Sequence, residues 1–153
     1  MMIRTTLGLA VVIALSVTAA GAQTEEKYGK GVTLTEATPI KALYESPEKY
    51  VGKTIRIDGV VTAVCEEMGC WMALGASDKA EETVRLKVED GGPIVFKISA
   101  KGKAASAEGV FEKIDAKDDH SMEAAKEHVA ATKLKNADFA KKYQIKATGA
   151  VVK

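Results

Sequence analysis

The sequence predicts a mainly β domain, a small barrel of five to six strands with one inserted helix. Three observations carry that prediction. Short segments such as TIRID and VRLKV alternate apolar and polar residues with a period of two. Glycines punctuate these segments closely enough for tight connections and bends. One long stretch, KDDHSMEAAKEHVAATKLKNADFAKKY, lacks glycine and proline and is rich in alanine, glutamate and lysine. A chain of 153 residues suffices for one domain of ordinary size.

Residues 1–22 read as a secretory signal peptide. Arg4 precedes an apolar run from Leu7 to Val17, and Ala20-Gly21-Ala22 supplies an A-x-A cleavage pattern. The run is too short to cross a bilayer comfortably, which favours removal over a retained anchor. No cysteine follows the cleavage pattern, which argues against a lipid-anchored form. The expected product is periplasmic or secreted. Without Arg4, the 22 basic side chains come into balance with the 21 acidic ones. A neutral domain carries no electrostatic footprint for nucleic acid. No later apolar stretch is long enough for a membrane span.

Residues 23–31 are polar and read as a flexible leader, and residues 32–153 as the barrel domain. Val32–Ala37 is expected to be a short strand, and Pro39–Tyr44 one or two helical turns that Ser46-Pro47 ends. In TIRIDGVVTAVC, Ile55 and Ile57 alternate with Arg56 and Asp58, and Gly59 suggests a bulge or sharp bend. A second strand is expected from Cys70 to Leu74. A third is TVRLKVED, with Val84, Leu86 and Val88 on one face and Arg85 and Lys87 on the other. IVFKIS after Gly91-Gly92-Pro93, GVFEKID from Gly109, and QIKATGAVV from Gln144 complete the set. The helical insertion spans about 118–142. Asp118 or Asp119 is its cap, Ala125, Val129 and Thr132 form its less polar stripe, and His128 lies at the edge. A long, glycine-interrupted first strand and a late helix point to an oligonucleotide/oligosaccharide-binding (OB)-like barrel. Nucleotide binding does not follow from that architecture.

The chemistry concentrates in residues 65–72, CEEMGCWM. They hold both cysteines, the single tryptophan and two of the five methionines. If Cys65 ends one strand and Cys70 begins the next, Glu66–Gly69 is a four-residue hairpin loop with glycine where a positive φ is often needed. Cys65 then opposes Cys70, Ala63 opposes Met72 and Val61 opposes Leu74. Trp71 falls on the other face, beside Val64, either covered by the inserted helix or exposed for stacking.

Three uses of the sulfurs compete. In an oxidising compartment a disulfide comes first; so short a loop gives about 2 kcal/mol by the chain-entropy estimate. The second use is a soft-metal site, since thiolate, thioether and imidazole suit Cu(I), and thiolate with imidazole suits zinc. Cys65 and Cys70 would be ligands, with His128 brought in by the helix and Met68, Met72 and His120 as secondary candidates. The third, a catalytic dithiol, is disfavoured. The spacing is not C-x-x-C, and Glu66 and Glu67 would raise a thiol pKa. No Ser-His-Asp arrangement, phosphate loop or haem attachment motif accompanies the pair.

The segment GKTIRIDGVVTAVCEEMGCWMAL resembles a family of small exported bacterial proteins of unassigned function. Their mark is a strand leading to a cysteine, a short loop and Gly-Cys-Trp-Met, matched here by Cys65, Gly69, Cys70, Trp71 and Met72. GVFEKI, EAAKEHVA and IKATGAVV are similar too, so the likeness covers roughly residues 50–153. It implies export and an OB-like barrel but supplies no activity. A weaker resemblance, Trp71 beside Met72, is to periplasmic OB-fold copper metallochaperones. Those bind Cu(I) through methionines and a histidine under a tryptophan ring. Here no histidine precedes on a neighbouring strand and cysteines intervene, so their ligands are not transferred.

Two functional expectations follow. The first is a non-enzymatic soft-metal-binding protein, with copper ahead of zinc, in which Trp71 shields the ion. The second is a binding module stapled by a Cys65–Cys70 disulfide. It would present Trp71 and the loop around Glu66 to a periplasmic protein partner, a peptide or a saccharide.

Overall fold

The computed structural model describes residues 23–153; the expected signal peptide, residues 1–22, lies outside the described residues. Six strands form one sheet. They are β1 (Glu26–Gly29), β2 (Thr54–Val64), β3 (Trp71–Gly75), β4 (Thr83–Lys87), β5 (Ala104–Lys113) and β6 (Tyr143–Val152). Their order is β1-β6-β4-β3-β2-β5, and β5 also pairs with β6. Strands β2 to β6 therefore close into a five-stranded barrel, with β1 as an extra strand on β6. The β4–β6 pairing is parallel and the others are antiparallel.

The period-two pattern explains the core. Ile55 and Ile57 of β2, Met72 and Leu74 of β3, Val84 and Leu86 of β4, Phe111 of β5 and Ile145 of β6 meet in one buried cluster. Each such side chain contributes about 1.5–3 kcal/mol on burial. Helix α1 (Ile40–Glu45) adds Ile40 and Leu43. Strand β2 is long because it serves two neighbours, with residues 54–60 on β5 and residues 60–64 on β3. Gly59 sits in that overlap, where a Cβ would lie 2.3 Å from the Gly75 carbonyl oxygen. Its role is close backbone approach. The bulge lies further on, at Thr62, where the register passes from Val61 opposite Leu74 to Ala63 opposite Ala73.

That bulge corrects the expected hairpin. Val61 opposes Leu74 as expected, but Met72 opposes Val64 rather than Ala63. The extra residue reverses the parity of everything after it. Val64 turns into the barrel, while Ala63 and Cys65 turn out and join Trp71 on one outer face.

Other segments differ from expectation as well. The expected leader contributes β1, whose main chain pairs residue by residue with Gly149–Val152. Residues 32–37 and 94–99 form no strand, since neither finds a partner edge. The insertion holds one long helix, α2 (Asp119–Ala131), and a short one, α3 (Ala137–Lys142). Asp118 caps α2 by accepting the Ser121 N–H at 3.0 Å, and Asn136 caps α3 by accepting the Phe139 N–H at 3.2 Å. The buried stripe of α2 is Ser121, Ala124, Ala125 and His128, with Val129 and Thr132 only half-buried. His128 therefore lies at the centre of the buried face.

Candidate functional site

Helix α2 lies over the outer face of β2–β4 and creates a second, smaller core of Ala63, Cys65, Trp71, Ala73 and Ala124, with Cys70 at its edge. Trp71 dominates it. The indole is 2 % exposed and its Nε1–H donates to Glu127 Oε2 at 2.7 Å. Burying an indole removes roughly 150–250 Å² from water, roughly 4–6 kcal/mol at 25 cal/mol per Å². The alanines opposite contribute far less. Of the two alternatives for Trp71, the structure has it covered rather than exposed for stacking: alternation along β3 turns it away from Met72, onto the face that α2 covers.

The hairpin tip is held by main-chain bonds. The Cys65 N–H donates to the Trp71 carbonyl at 2.9 Å, the Gly69 N–H to the Cys65 carbonyl at 3.2 Å, and the Val88 N–H to the Cys70 carbonyl at 2.9 Å. Gly69 has φ +60°, and a Cβ there would meet the Phe96 carbonyl oxygen at 2.3 Å. Only glycine permits both. Cys65 and Cys70 are free thiols with their Sγ atoms 3.7 Å apart, Cys65 buried and Cys70 half-buried. No disulfide joins them. Glu66 and Met68 are exposed in the loop, whereas Met72 points into the barrel core, away from the thiols.

Cys70 faces charged neighbours. The Asp90 carboxylate lies beside its thiol, bonded in turn to the Lys87 ammonium and to His120 Nδ1 at 2.7 Å. Burial, then the Cys65 thiol, pushes the Cys70 pKa up to about 12, with Asp90 adding and Lys87 subtracting. Burial, the largest single influence, works against ionisation of Asp90, but the bond and charge of Lys87, the Cys70 thiol and His120 together hold the carboxyl below the usual range. Asp90, Lys87 and His120 also line an open cleft of ≈ 550 Å³ together with Glu112, Asp118 and Gln144.

His128 is engaged elsewhere. Its Nδ1 lies 3.3 Å from Arg85 Nη1 and its Nε2 lies 2.7 Å from Thr83 Oγ1. A guanidinium can only donate, so Nδ1 accepts and Nε2 carries the proton given to Thr83. Burial, then the Arg85 charge, lowers the His128 pKa to about 3. Both nitrogens are committed, so His128 offers no lone pair to an ion at the thiols. The contacts of Cys70 lead instead through Asp90 to His120.

Arg85, Lys87, Asp90 and Glu127 went unmarked in the sequence reading. Alternation along β4 did place Arg85 and Lys87 on the outer face, but nothing local marked that face as covered. Among the described residues, no three His, Cys, Asp or Glu side chains are grouped to hold a metal ion. Comparison with protein-family models, with curated proteins and with solved structures finds no match.

Proposed function

We propose that this chain is an exported, non-enzymatic soft-metal-binding protein whose ligands are Cys65 and Cys70 and whose preferred ion is Cu(I). One observation carries the reading: two free thiols whose sulfurs stand 3.7 Å apart. With metal–sulfur bonds of about 2.3 Å, two thiolates on one ion are separated by roughly 3.7 Å when bent and roughly 4.6 Å when linear. The pair already spans the lower end of that interval. Structural zinc requires four ligands, whereas thiolates alone suit Cu(I), and His128 is not available to complete a zinc set. Trp71 and Ala124 roof Cys65 and exclude water from that side. Exposed Met68 stands in the same loop as a thioether for an arriving ion.

Loading must displace thiol protons. Cys70 holds its proton up to about pH 12, so apparent affinity rises at least about tenfold per pH unit between pH 6 and 9. The test is anaerobic competition for Cu(I) between the reduced protein and a colorimetric chelator, with elemental analysis and a thiol count on the purified protein. One ion per chain, lost in both Cys65→Ser and Cys70→Ser, is the expected result. Reduced protein that cannot compete, or single variants that bind like the parent, would refute the reading.

A further inference from the structure

We infer that Cys65 and Cys70 form a reversible dithiol–disulfide couple that reacts with small-molecule disulfides, with Cys70 the first sulfur to react and Cys65 the resolving one. The order follows from access. Cys65 is 6 % exposed and packs among Trp71, Ala73 and Ala124, so nothing the size of a mixed disulfide can be built on it without displacing α2. Cys70 stands at the edge of that cluster, half-buried, on the side of Lys87 and Asp90.

In the first step the Cys70 thiolate attacks one sulfur of R–S–S–R. A Cys70–S–S–R bond forms, and RS⁻ leaves and takes up the proton that Cys70 released. In the second, the Cys65 sulfur, already 3.7 Å from Cys70 Sγ, displaces the remaining RS⁻. The protein loses two hydrogens and two electrons, and the small disulfide becomes two thiols. Resolution is intramolecular between touching sulfurs, so the mixed disulfide does not accumulate. Oxidation ties up both sulfurs, so a chain that binds Cu(I) through them, as proposed above, loses that capacity until a dithiol reductant restores it.

The experiment treats the reduced full chain with glutathione disulfide and follows intact mass together with Trp71 fluorescence. Trp71 is the single tryptophan and packs against Cys65, so it reports bond formation directly. The expected product is a chain lighter by two hydrogens without a lasting adduct. Cys65→Ser should retain a glutathione adduct on Cys70, and Cys70→Ala should form one on Cys65 at least about tenfold more slowly. A lasting adduct on the parent protein would overturn the couple. So would no reaction of the folded chain when the urea-unfolded chain reacts. Equal adduct rates in the two variants would overturn the order. Cu(I) competition before and after oxidation separates the two proposals. Absent binding in the reduced protein sinks the metal reading alone, and binding that survives oxidation sinks the coupling between them.

Discussion

Arg85 and His128 meet in a buried polar contact beneath α2. Arg85 is 1 % exposed, and its guanidinium donates to Gln144 Oε1, to the Ala140 carbonyl and to His128 Nδ1. Every one of these acceptors is neutral. Negative charge arrives at one remove, since Gln144 Nε2 donates onward to Glu112. Burial lowers the Arg85 pKa to about 10, which leaves it a cation at neutral pH. A second cation beside it is therefore costly, and His128 stays neutral. His128→Ala should destabilise the fold by ~2–4 kcal/mol at pH 7, because it opens a cavity and leaves Arg85 and Thr83 short of a partner. It should leave Cu(I) affinity unchanged. The folded His128 pKa, about 3, lies below the ordinary 6.5, so the unfolded chain takes up the proton first. That stabilisation is full above pH 6.5 and drains away as pH falls towards 3. Urea unfolding of parent and variant should thus show a gap that narrows below pH 6.5 by at most ~1.4 kcal/mol per pH unit. A gap independent of pH would show that His128 is not held neutral. Sequence inspection made His128 a candidate ligand because the inserted helix could bring its imidazole to the sulfurs. It could not show that both ring nitrogens already had partners, which come from β4, far off in the chain.

At the level of elements, the outer face turns on one unmarked residue. Strands β2 and β4 were legible because alternation of Ile, Val and Leu with charged residues survives in the sequence, whereas β5 begins at Ala104, before the expected Gly109, in a run of small residues that carries no such alternation. The bulge was not legible either, because Thr62 is an ordinary strand residue and Gly59 offers a more conspicuous reason for irregularity. Its consequence is large: one skipped residue moves Cys65 from the barrel side to the side of Trp71 and α2. The nearness of the two cysteines was legible from loop length, and the inserted helix was one of two fates foreseen for Trp71; the direct opposition of Cys65 to Cys70 is not found, because past the bulge Cys65 faces Trp71. Gly59 does have a purpose, and it can be measured. Gly59→Ala places a methyl 2.3 Å from the Gly75 carbonyl oxygen, backbone against backbone with no side chain to yield. A loss of ~2–4 kcal/mol is expected in urea unfolding, the range for overpacked or strained sites. A neutral effect would mean that β2 and β3 can separate at no cost. The stripe on α2 also shifted, for a reason outside the helix. It packs on Thr83, Arg85 and Trp71, so its buried positions can be polar, and hydropathy along α2 does not identify them.

For the molecule as a whole, the closed barrel followed from strand number and spacing, and the edge strand did not. Residues 26–29, EKYG, have little apolar signal because one side chain, Tyr28, enters the core against Phe96 and the rest of β1 is held by main-chain bonds to β6. Conversely, IVFKIS looks like a strand and remains irregular; its Phe96 N–H donates to Gly69 at the hairpin tip instead. All five residues of β4 are buried, Val84 and Leu86 towards the barrel, Thr83 and Arg85 beneath the helices, and Lys87 beside Asp90 at the cleft. β4 is thus a party wall between two cores, and it anchors the sulfur pair through Val88 and Cys70. Such a wall opens only when the whole molecule does, while the exposed loop 66–68 can open alone. Hydrogen exchange should find the amides of residues 84–87 among the slowest, and those of 66–68 faster by orders of magnitude; similar rates at both would deny the contrast. The thiols therefore sit where a rigid partition meets a yielding tip. Under the proposed reading, the partition would fix where an ion or a second sulfur comes, and the tip would supply the fraction of an ångström by which the two sulfurs draw together or part.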